Sequence, residues 1–322
     1  AEDPARDFAP SIGRLVLFCT PNETTQVRVD TGFGTGDSVS VHYDAMLAKL
    51  ICHGPTREAA LRTMQQSLSA CFVAGVASNL DLLGRIVSHP DFNAGGIDTG
   101  FIAREAATLL AGQGTPSAEV LAIAALATLG AEARPPAGDG DPHSPWNERD
   151  LWWVNANARR TLEFSDGTET WPVAVARDGA QWRFQIDNDS ILGMATPLPD
   201  GQMRVSLNGG WDGVLANIDH HVVTLRWQGV TWRLSLLDRL EAADEQEDAA
   251  DRLVAPIPGQ VTQVAVAAGD CVERGQVLVV LEAMKTVFRL TAPADKVISE
   301  VSCAAGEMVQ EGQVLVSFKV VE

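Results

Sequence analysis

Two segments near the C-terminal end of the chain repeat each other without a gap. The shared positions are an Ala-Pro pair, two glycines and a Gln-Val-Leu run, which stand at 255–256, 269, 275 and 276–278 and recur 37 positions later, from Ala292 to Leu315. Each copy carries a glycine followed by an acidic residue, a turn signal between strand-like runs. Neither copy is long enough to bury its own apolar side. The repeat therefore predicts two similar small sheets packed face to face.

Lys285 falls in the stretch that joins the two copies. Strand-like runs flank it at 277–282 and 287–291, so a tight hairpin turn is expected there. A lysine at the tip of a turn has an accessible amine on a long stem, which suits attack on an activated acyl group. An ordinary polar turn residue is the alternative. The repeat, the central position and the neighbouring Ala283-Met284 favour a modified lysine.

The run Glu282-Ala283-Met284-Lys285 resembles the signature of the biotinyl (biotin carboxyl carrier) domain of biotin-dependent carboxylases, and 255–259 resembles the same family. The resemblance implies an all-β flattened sandwich of the biotinyl/lipoyl-like kind over 253–322. It implies biotin bound covalently to Lys285, with Glu282, Ala283 and Met284 as the motif recognised by a biotin protein ligase. Thr286 departs from the methionine usual after the lysine. Lipoyl domains carry an acidic residue in place of Met284, so biotin is favoured over lipoate.

The composition limits the classes of partner and location. A chain of 322 residues with net charge −18 is long enough for two or three domains and is a poor match for nucleic acid or an anionic membrane. The five cysteines are scattered and form no metal-binding spacing, which favours a reducing compartment and predicts no metal site. No apolar run is long enough to span a bilayer. A bacterial cytoplasmic location is expected, and the start without methionine suggests a piece of a longer protein.

Residues 1–110 alternate strand-like and helix-like segments, an α+β pattern. Strands are predicted at 15–18, 26–29, 38–41 and within 43–51, and helices from a Thr56 cap, over 79–88 and from Asp98 to Leu110. Tyr43-Asp44 beside Lys49 could form a polar site, but a half-buried strand or an interface is the better interpretation. The glycine-rich 32–36 lacks the following helix that a phosphate-binding loop needs, so a hairpin turn is expected.

This first region resembles the C-terminal subdomain of biotin carboxylase. The residues that carry the resemblance are 1–4, 10–13, 43–51, 79–80 and 98–102. Ala45 stands where the family usually has proline or serine. In the family, the ATP-grasp nucleotide site and the catalytic arginine and glutamate precede this subdomain. The resemblance therefore implies a truncated subdomain without catalytic residues of its own, and assigns ATP and Mg or Mn to the remainder of the biotin carboxylase domain.

Residues 111–237 change in character along their length. Ala118 to about Leu129 is apolar on every side and predicts a buried helix, and a loop is expected at 134–142. Short alternating runs punctuated by Asp-Gly predict an antiparallel sheet or barrel. Core and interface packing is preferred over a ligand cage for the tryptophans, and the adjacent His220 and His221 cannot share a metal on a strand. All eight tryptophans of the chain fall here, at 146, 152, 153, 171, 182, 211, 227 and 232.

This middle region resembles the domain that links the carboxylase and carboxyltransferase parts of 3-methylcrotonyl-CoA and propionyl-CoA carboxylases. The matching residues are 141–146 and 152–155. The family domain is an antiparallel β-barrel with an associated helix, and the resemblance implies a role in holding the carboxyltransferase β subunit. Between it and the carrier, 238–252 is dominated by acidic residues and is expected to be a mobile linker, with a solvated helix as the alternative. Such a tether raises the local concentration of the carrier.

The combined interpretation is the C-terminal part of the α subunit of a biotin-dependent acyl-CoA carboxylase, most like 3-methylcrotonyl-CoA carboxylase of leucine degradation. Biotin on Lys285 would shuttle a carboxyl group from the biotin carboxylase site to the carboxyltransferase subunit of a hetero-oligomer. Geranyl-CoA and propionyl-CoA carboxylases stay open, because the acyl-CoA pocket should lie on the partner. A stand-alone biotin carrier and a non-biotinylated adaptor are the alternatives from other classes. Residues 1–110 argue against a simple carrier.

Overall fold

The computed structural model describes the backbone of residues 1–132, 152–153, 156–157, 159–198, 201–237, 252–283, 286–310 and 312–319. Several sequence-based expectations therefore lie outside the described residues. They are the loop at 134–142, Trp146 and the rest of 141–146, the side chains of Trp152 and Trp153, the acidic linker at 238–251, and Met284 with Lys285. The described part is strand-rich and has few helices. It contains no helix long and apolar enough to cross a membrane.

The first region combines short antiparallel strand pairs with five helices. Its strands are β1 Glu2–Asp3, β2 Ala9–Pro10, β3 Gly13–Arg14, β4 Leu17–Cys19, β5 Val27–Thr31, β6 Ser38–Val39, β7 Ala48–Cys52 and β8 Phe72–Ala74. Its helices are α1 Arg57–Ala70, α2 Leu80–Ser88, α3 Pro90–Ala94, α4 Phe101–Arg104 and α5 Ala106–Leu109. The pairs are β1 with β2, β3 with β6, β4 with β8 and β5 with β7.

Helix starts in this region follow the sequence closely. The Thr56 hydroxyl accepts a hydrogen bond from the Ala59 amide at 3.2 Å, so the predicted cap of α1 is confirmed. Helix α2 begins directly after Asn79, as expected. The helix predicted up to Leu110 is instead two short helices, because the backbone turns away from helical geometry at Glu105. Helix α3 was not predicted; its Pro90 is the residue that ends the previous helix and starts the next.

The strands around the glycine-rich loop differ from the prediction. The loop at 32–36 does not form a hairpin, because β5 pairs with β7 while β6 pairs with β3. Its amides are already bound: Gly34 donates to the Asp37 carboxylate at 2.7 Å and Gly36 to the Leu15 carbonyl at 2.7 Å. The loop therefore closes on the protein itself. The predicted strand within 43–51 begins only at Ala48, and Tyr43 before it is 75% exposed, so the expected half-buried strand is wrong there.

The middle region is a closed antiparallel barrel around one helix, α6 Ala118–Glu132. A two-strand pair precedes it, β9 Trp152–Trp153 and β10 Ala156–Asn157. The barrel strands are β11 Arg159–Ser165, β12 Thr170–Asp178, β13 Gln181–Ile186, β14 Asp189–Pro197, β15 Gln202–Leu207, β16 Gly210–Asp219, β17 Val222–Trp227 and β18 Val230–Leu236. Neighbours in sequence are neighbours in space, and closure is made by β11 with β18 through Phe164–Leu236 and Ser165–Ser235.

Helix α6 forms the centre of this core. Every residue from Val120 to Leu129 is buried, as the all-round apolar sequence predicted. The wall comes close at Gly193 of β14, where a Cβ would lie 3.2 Å from a methyl of Leu126 and 3.1 Å from the Phe184 ring. At the helix end, Arg160 of β11 binds the Glu132 carboxylate with both terminal nitrogens. The barrel sequence therefore alternates because one face of each strand packs on this helix or on its neighbours.

The described tryptophans mostly pack on the core. Four of them, Trp171, Trp182, Trp227 and Trp232, contact the core cluster around α6. Trp211 is different: it is 49% exposed, and the Arg204 guanidinium lies 4.8 Å from its ring centroid. Packing rather than a ligand cage therefore accounts for the four, which agrees with the interpretation preferred from the sequence.

The C-terminal region consists of two four-stranded sheets. Its strands are β19 Arg252–Val254, β20 Gly259–Val264, β21 Cys271–Val272, β22 Val277–Ala283, β23 Thr286–Thr291, β24 Lys296–Val301, β25 Met308–Val309 and β26 Val314–Phe318. One sheet has the order β19-β26-β24-β21 and the other β23-β22-β20-β25. Each sheet takes strands from both copies of the repeat. The predicted pair of similar sheets is confirmed, and the copies exchange strands so that both sheets cover one shared core.

The two copies make equivalent contacts at equivalent positions. The Ala255 amide donates to the Gln313 carbonyl at 2.9 Å, and the Ala292 amide donates to the Gln276 carbonyl at 2.9 Å. Both alanines are buried. The turn glycines Gly269 and Gly306 have φ of 96° and 91°, a conformation that favours glycine. The repeat is thus a structural pseudo-twofold, and residues 37 apart occupy equivalent places.

Replacing Ile123 by alanine should lower the free energy of unfolding of the barrel by about 2–5 kcal/mol, because it opens a cavity at a fully buried position of α6. Urea unfolding followed by tryptophan fluorescence measures the change, since four tryptophans pack against the core around α6. The matched control is Thr196→Ala on the exposed end of β14. Its free energy of unfolding should stay within about 0.5 kcal/mol of the wild-type value. Equal stability of the two variants would contradict the central position of α6.

Candidate functional site

The stretch that joins the two copies is a hairpin with a short connection. In its register Ala283 of β22 faces Thr286 of β23, and Glu282 faces Val287. The connection between the paired residues therefore consists of Met284 and Lys285, which lie outside the described residues. Two-residue connections are the shortest that join antiparallel strands. Of the predicted site residues, the described structure thus places Glu282 and Ala283 at the base of the turn.

The base of the hairpin is fixed by a close backbone approach from β20. A Cβ on Gly259 would lie 2.8 Å from the Glu282 carbonyl oxygen and 3.3 Å from the Ala283 Cβ. Ala283 itself is only 2% exposed. Both positions therefore need small residues, since there is no space for a larger side chain between the two strands. Gly259 was not predicted as a site residue, although the Pro-Gly pair at 258–259 was a usable signal.

The outward face beside the connection presents a row of four exposed side chains. Val287, Glu282, Gln260 and Met308 lie opposite one another across β23, β22, β20 and β25. Opposite residues of antiparallel strands point to the same face. Val287 is 57% exposed and Met308 52%, and they flank the polar pair. Another protein that approaches the connection would therefore meet a carboxylate and an amide between two apolar groups.

The remaining lysines occupy other environments. The chain has four lysines: Lys49, Lys285, Lys296 and Lys319. Lys49 lies in β7 of the first region. The Lys296 amine lies 5.3 Å from the centre of the Phe318 ring, and the Lys319 amide donates to Val297 at the end of β26. Lys285 differs from these three lysines in its sequence position, because it lies in the connection between the two copies of the repeat.

The described residues give little support for a reactive cysteine or for a metal site. The thiols of Cys52 and Cys71 both contact Ser67, at 3.6 Å and 3.3 Å. Burial raises the pKa of the Cys71 thiol to about 11, so it stays protonated at neutral pH and is a poor nucleophile. In the part of the chain that the structure describes, no cluster of three or more His, Cys, Asp or Glu side chains is placed to hold a metal ion.

Two family matches cover the ends of the chain. Residues 1–104 match the family described as "Biotin carboxylase C-terminal domain", and residues 251–318 match "Biotin-requiring enzyme". The second match contains the hairpin and the whole pseudo-twofold. The chain therefore contains two domains of the biotin-dependent carboxylase class, a biotin carboxylase C-terminal domain and a biotin-requiring domain. The biotin-requiring domain implies covalently bound biotin as the cofactor.

Within that class, the chain is homologous to the α subunits of acyl-CoA carboxylases. It is 32% identical to "Methylcrotonoyl-CoA carboxylase subunit alpha, mitochondrial" of Dictyostelium discoideum over 88% of this chain and 42% of that protein. The corresponding protein of Mus musculus is 32% identical over 88% and 41%. "Propionyl-CoA carboxylase alpha chain" of Ruegeria pomeroyi is 30% identical over 88% and 45%. The chain thus spans less than half the length of these relatives.

Among solved structures, the biotin carboxylase subunit of pyruvate carboxylase is 31% identical over 35% of this chain and 25% of that chain. Its TM-score of 0.34 is too low to bear on the fold.

Replacing Gly259 by alanine should destabilise the carrier region by about 1–3 kcal/mol, because the added methyl group overlaps the Glu282 carbonyl. The shift of the two hairpin strands should also slow modification of the connection by a biotin ligase. Thermal unfolding and the rate of biotin incorporation measure the two effects. The control is Ser302→Ala at an exposed position of the same region. An unchanged melting temperature in Gly259→Ala would contradict the close approach of β20.

Proposed function

We propose that this chain is the biotin-carrying and subunit-linking portion of an ATP-dependent acyl-CoA carboxylase, with biotin attached to Lys285. The observation that carries the proposal is the hairpin register, which leaves Met284 and Lys285 as the connection at the centre of a pseudo-twofold sandwich. The "Biotin-requiring enzyme" match over the same residues supports it. Lys285 acts as a covalent anchor and transfers no proton. Glu282, Ala283 and Met284 form the motif read by the biotin protein ligase.

The three regions divide the work of carboxyl transfer. The first completes a biotin carboxylase domain whose remainder binds ATP and Mg or Mn and carboxylates the biotin. The barrel links the carboxylase part to a carboxyltransferase β subunit. The acidic segment from 238 to the start of the carrier is the tether that lets biotin visit both sites. The boundaries of this division are 1–110, 111–237, 238–252 and 253–322. A bacterial cytoplasmic location is part of the proposal, because the five cysteines are scattered and form no metal-binding spacing.

Conversion of Lys285 to arginine should abolish biotin incorporation, because arginine keeps the positive charge but its guanidinium does not lose a proton to act as an acyl acceptor. Co-expression with a biotin ligase followed by intact-mass measurement gives the result. The wild-type chain should gain the mass of one biotinyl group, and the Lys285→Arg variant should gain none. Lys296→Arg is the matched control, since it alters a lysine of the same region and should be biotinylated normally.

The opposite outcomes have separate meanings. An unmodified wild-type chain, under conditions that biotinylate a known carrier, would contradict the carrier function and favour a non-biotinylated adaptor. In that case Thr286 would be the first residue to convert, to the methionine that the biotinyl family usually has. Biotin on Lys285→Arg would place the attachment site on another lysine while leaving the carrier function intact.

We further propose 3-methylcrotonyl-CoA as the substrate, in leucine degradation, because identities to methylcrotonoyl-CoA carboxylase α subunits reach 32%, against 30% for propionyl-CoA carboxylase α chains. The difference is small. The pocket that selects the acyl-CoA lies on the β subunit, so the alternative substrates are propionyl-CoA and geranyl-CoA.

The assay uses the complex of the full-length biotinylated subunit with its β subunit. Its kcat/KM for 3-methylcrotonyl-CoA should exceed the values for propionyl-CoA and geranyl-CoA at least about ten-fold, because a shaped pocket discriminates by about 10–200-fold for each methylene. Fixation of labelled bicarbonate with each acyl-CoA measures the ratio. Lys285→Arg supplies the background rate. A preference for either of the other two acyl-CoAs would change the substrate without changing the carrier function.

A further inference from the structure

A buried ion pair joins the first region to the barrel. Asp81, in the first turn of α2, accepts a hydrogen bond from the Arg226 guanidinium of β17 at 2.5 Å. The side chain of Arg226 is 2% exposed and that of Asp81 19%. The second terminal nitrogen of Arg226 donates to the Leu68 carbonyl in the last turn of α1, at 3.3 Å. One barrel side chain therefore binds two different helices of the first region.

Further hydrogen bonds converge on this pair from β18 and from the connecting segment. Thr231 donates both its amide and its hydroxyl to the Asp81 carboxylate, each at 3.0 Å, and its hydroxyl accepts from Arg226 at 2.6 Å. The Gln113 amide donates to Asp81 at 3.0 Å and also to the Thr231 carbonyl. The resulting set Asp81, Gln113, Arg226 and Thr231 is called the interdomain clamp below. It ties together both helices, the connecting segment and two barrel strands.

The clamp residues line two clefts between the first region and the barrel, and elsewhere the two regions make a close contact between Leu17 and Gly201. A cavity of about 740 Å³ lies on one side, lined by Arg226, and one of about 640 Å³ lies on the other, lined by Asp81 and Thr231. Charged and hydrogen-bonded pairs are directional, whereas apolar contact is not. Among the described residues, the Nε of Arg226 is buried without a hydrogen-bond partner, which lowers the net contribution of the pair to stability. In some proteins, buried ion pairs of this kind specify one arrangement of the parts that they join.

The clamp lies on the strand from which the chain leaves the barrel. Thr231 is the second residue of β18, and β18 ends at Leu236. The following residue, Leu237, donates its amide to the Glu163 carbonyl of β11 at 2.8 Å, which fixes the exit to the barrel wall. The segment from 238 then connects to the carrier. The position of the exit relative to the first region is therefore set through β18 and the clamp.

We propose that the interdomain clamp is a positioning device for carboxyl transfer: it holds the root of the carrier tether at a fixed place relative to the biotin carboxylase part. The inference rests on the proposed function. The tether root sets the effective concentration of biotin at the carboxylase site, because that concentration depends on the span a linker must cover. Loss of the clamp lets the barrel turn on the first region and moves the root. Asp81 and Arg226 touch no reacting atom.

The test uses full-length biotinylated subunit and compares two acceptors of the same carboxyl group. Free biotin reaches the carboxylase site without the tether, whereas the subunit's own biotin depends on it. The variants are Asp81→Asn, which removes the charge with little change in shape, and Arg226→Lys, which keeps the charge but removes the fork. The control is Asp178→Asn, which breaks the half-exposed pair with Arg183 on the same barrel.

Both clamp variants should carboxylate their own biotin at least about ten-fold more slowly than the wild type, since a small misplacement of a reacting group is costly. Their biotin-dependent ATP hydrolysis with saturating free biotin should stay within about two-fold, and Asp178→Asn should resemble the wild type in both assays. A purely structural role would lower both activities together, as would misfolding, and either result overturns the proposal. Unchanged self-carboxylation overturns it as well. A wild-type subunit without biotin on Lys285 would instead mark the failure of the proposed function.

Discussion

The carrier region depends on one constraint: neither copy of the 37-residue repeat can cover its own apolar residues. The structure meets it by exchanging strands, so that each sheet contains strands of both copies around one core. Exchange also places the stretch between the copies as a hairpin within one of the sheets. The connection of that hairpin is consequently held by a continuous sheet rather than by a loop, which gives an attached group a rigid base and a free end.

The sequence was sufficient for the periodic parts of the fold. A run such as 118–129, apolar on all sides, has one stable location in a globular protein, which is the centre of a core. The cap at Thr56 and the start of α2 after Asn79 are local features, and local rules predicted them. The strand exchange was not predictable from the repeat alone, because the same alternation fits pairing within a copy or between copies. Periodicity fixes which face of a strand is buried but not its partner.

The candidate site was predictable to a similar extent. The sequence motif around Lys285 indicated biotin attachment, and the register of the two hairpin strands agrees with a short connection there. The contribution of Gly259 was not predicted, because it depends on a backbone approach from a strand more than 20 residues away in the chain. The interdomain clamp was missed for a related reason. Asp81 and Arg226 look like ordinary surface charges in the sequence, and only the packing of two domains makes them partners.

The two kinds of contact in this chain have different consequences for carboxyl transfer. Apolar burial, as around α6 and between the carrier sheets, makes each region stable by itself, but it tolerates sliding because it is not directional. Polar contacts such as the clamp add little net stability, yet their directional geometry favours one orientation of the first region on the barrel. Under the proposed function the carrier reaches two sites, so the place where the chain leaves the barrel must stay fixed, since otherwise the span from it to each site would vary.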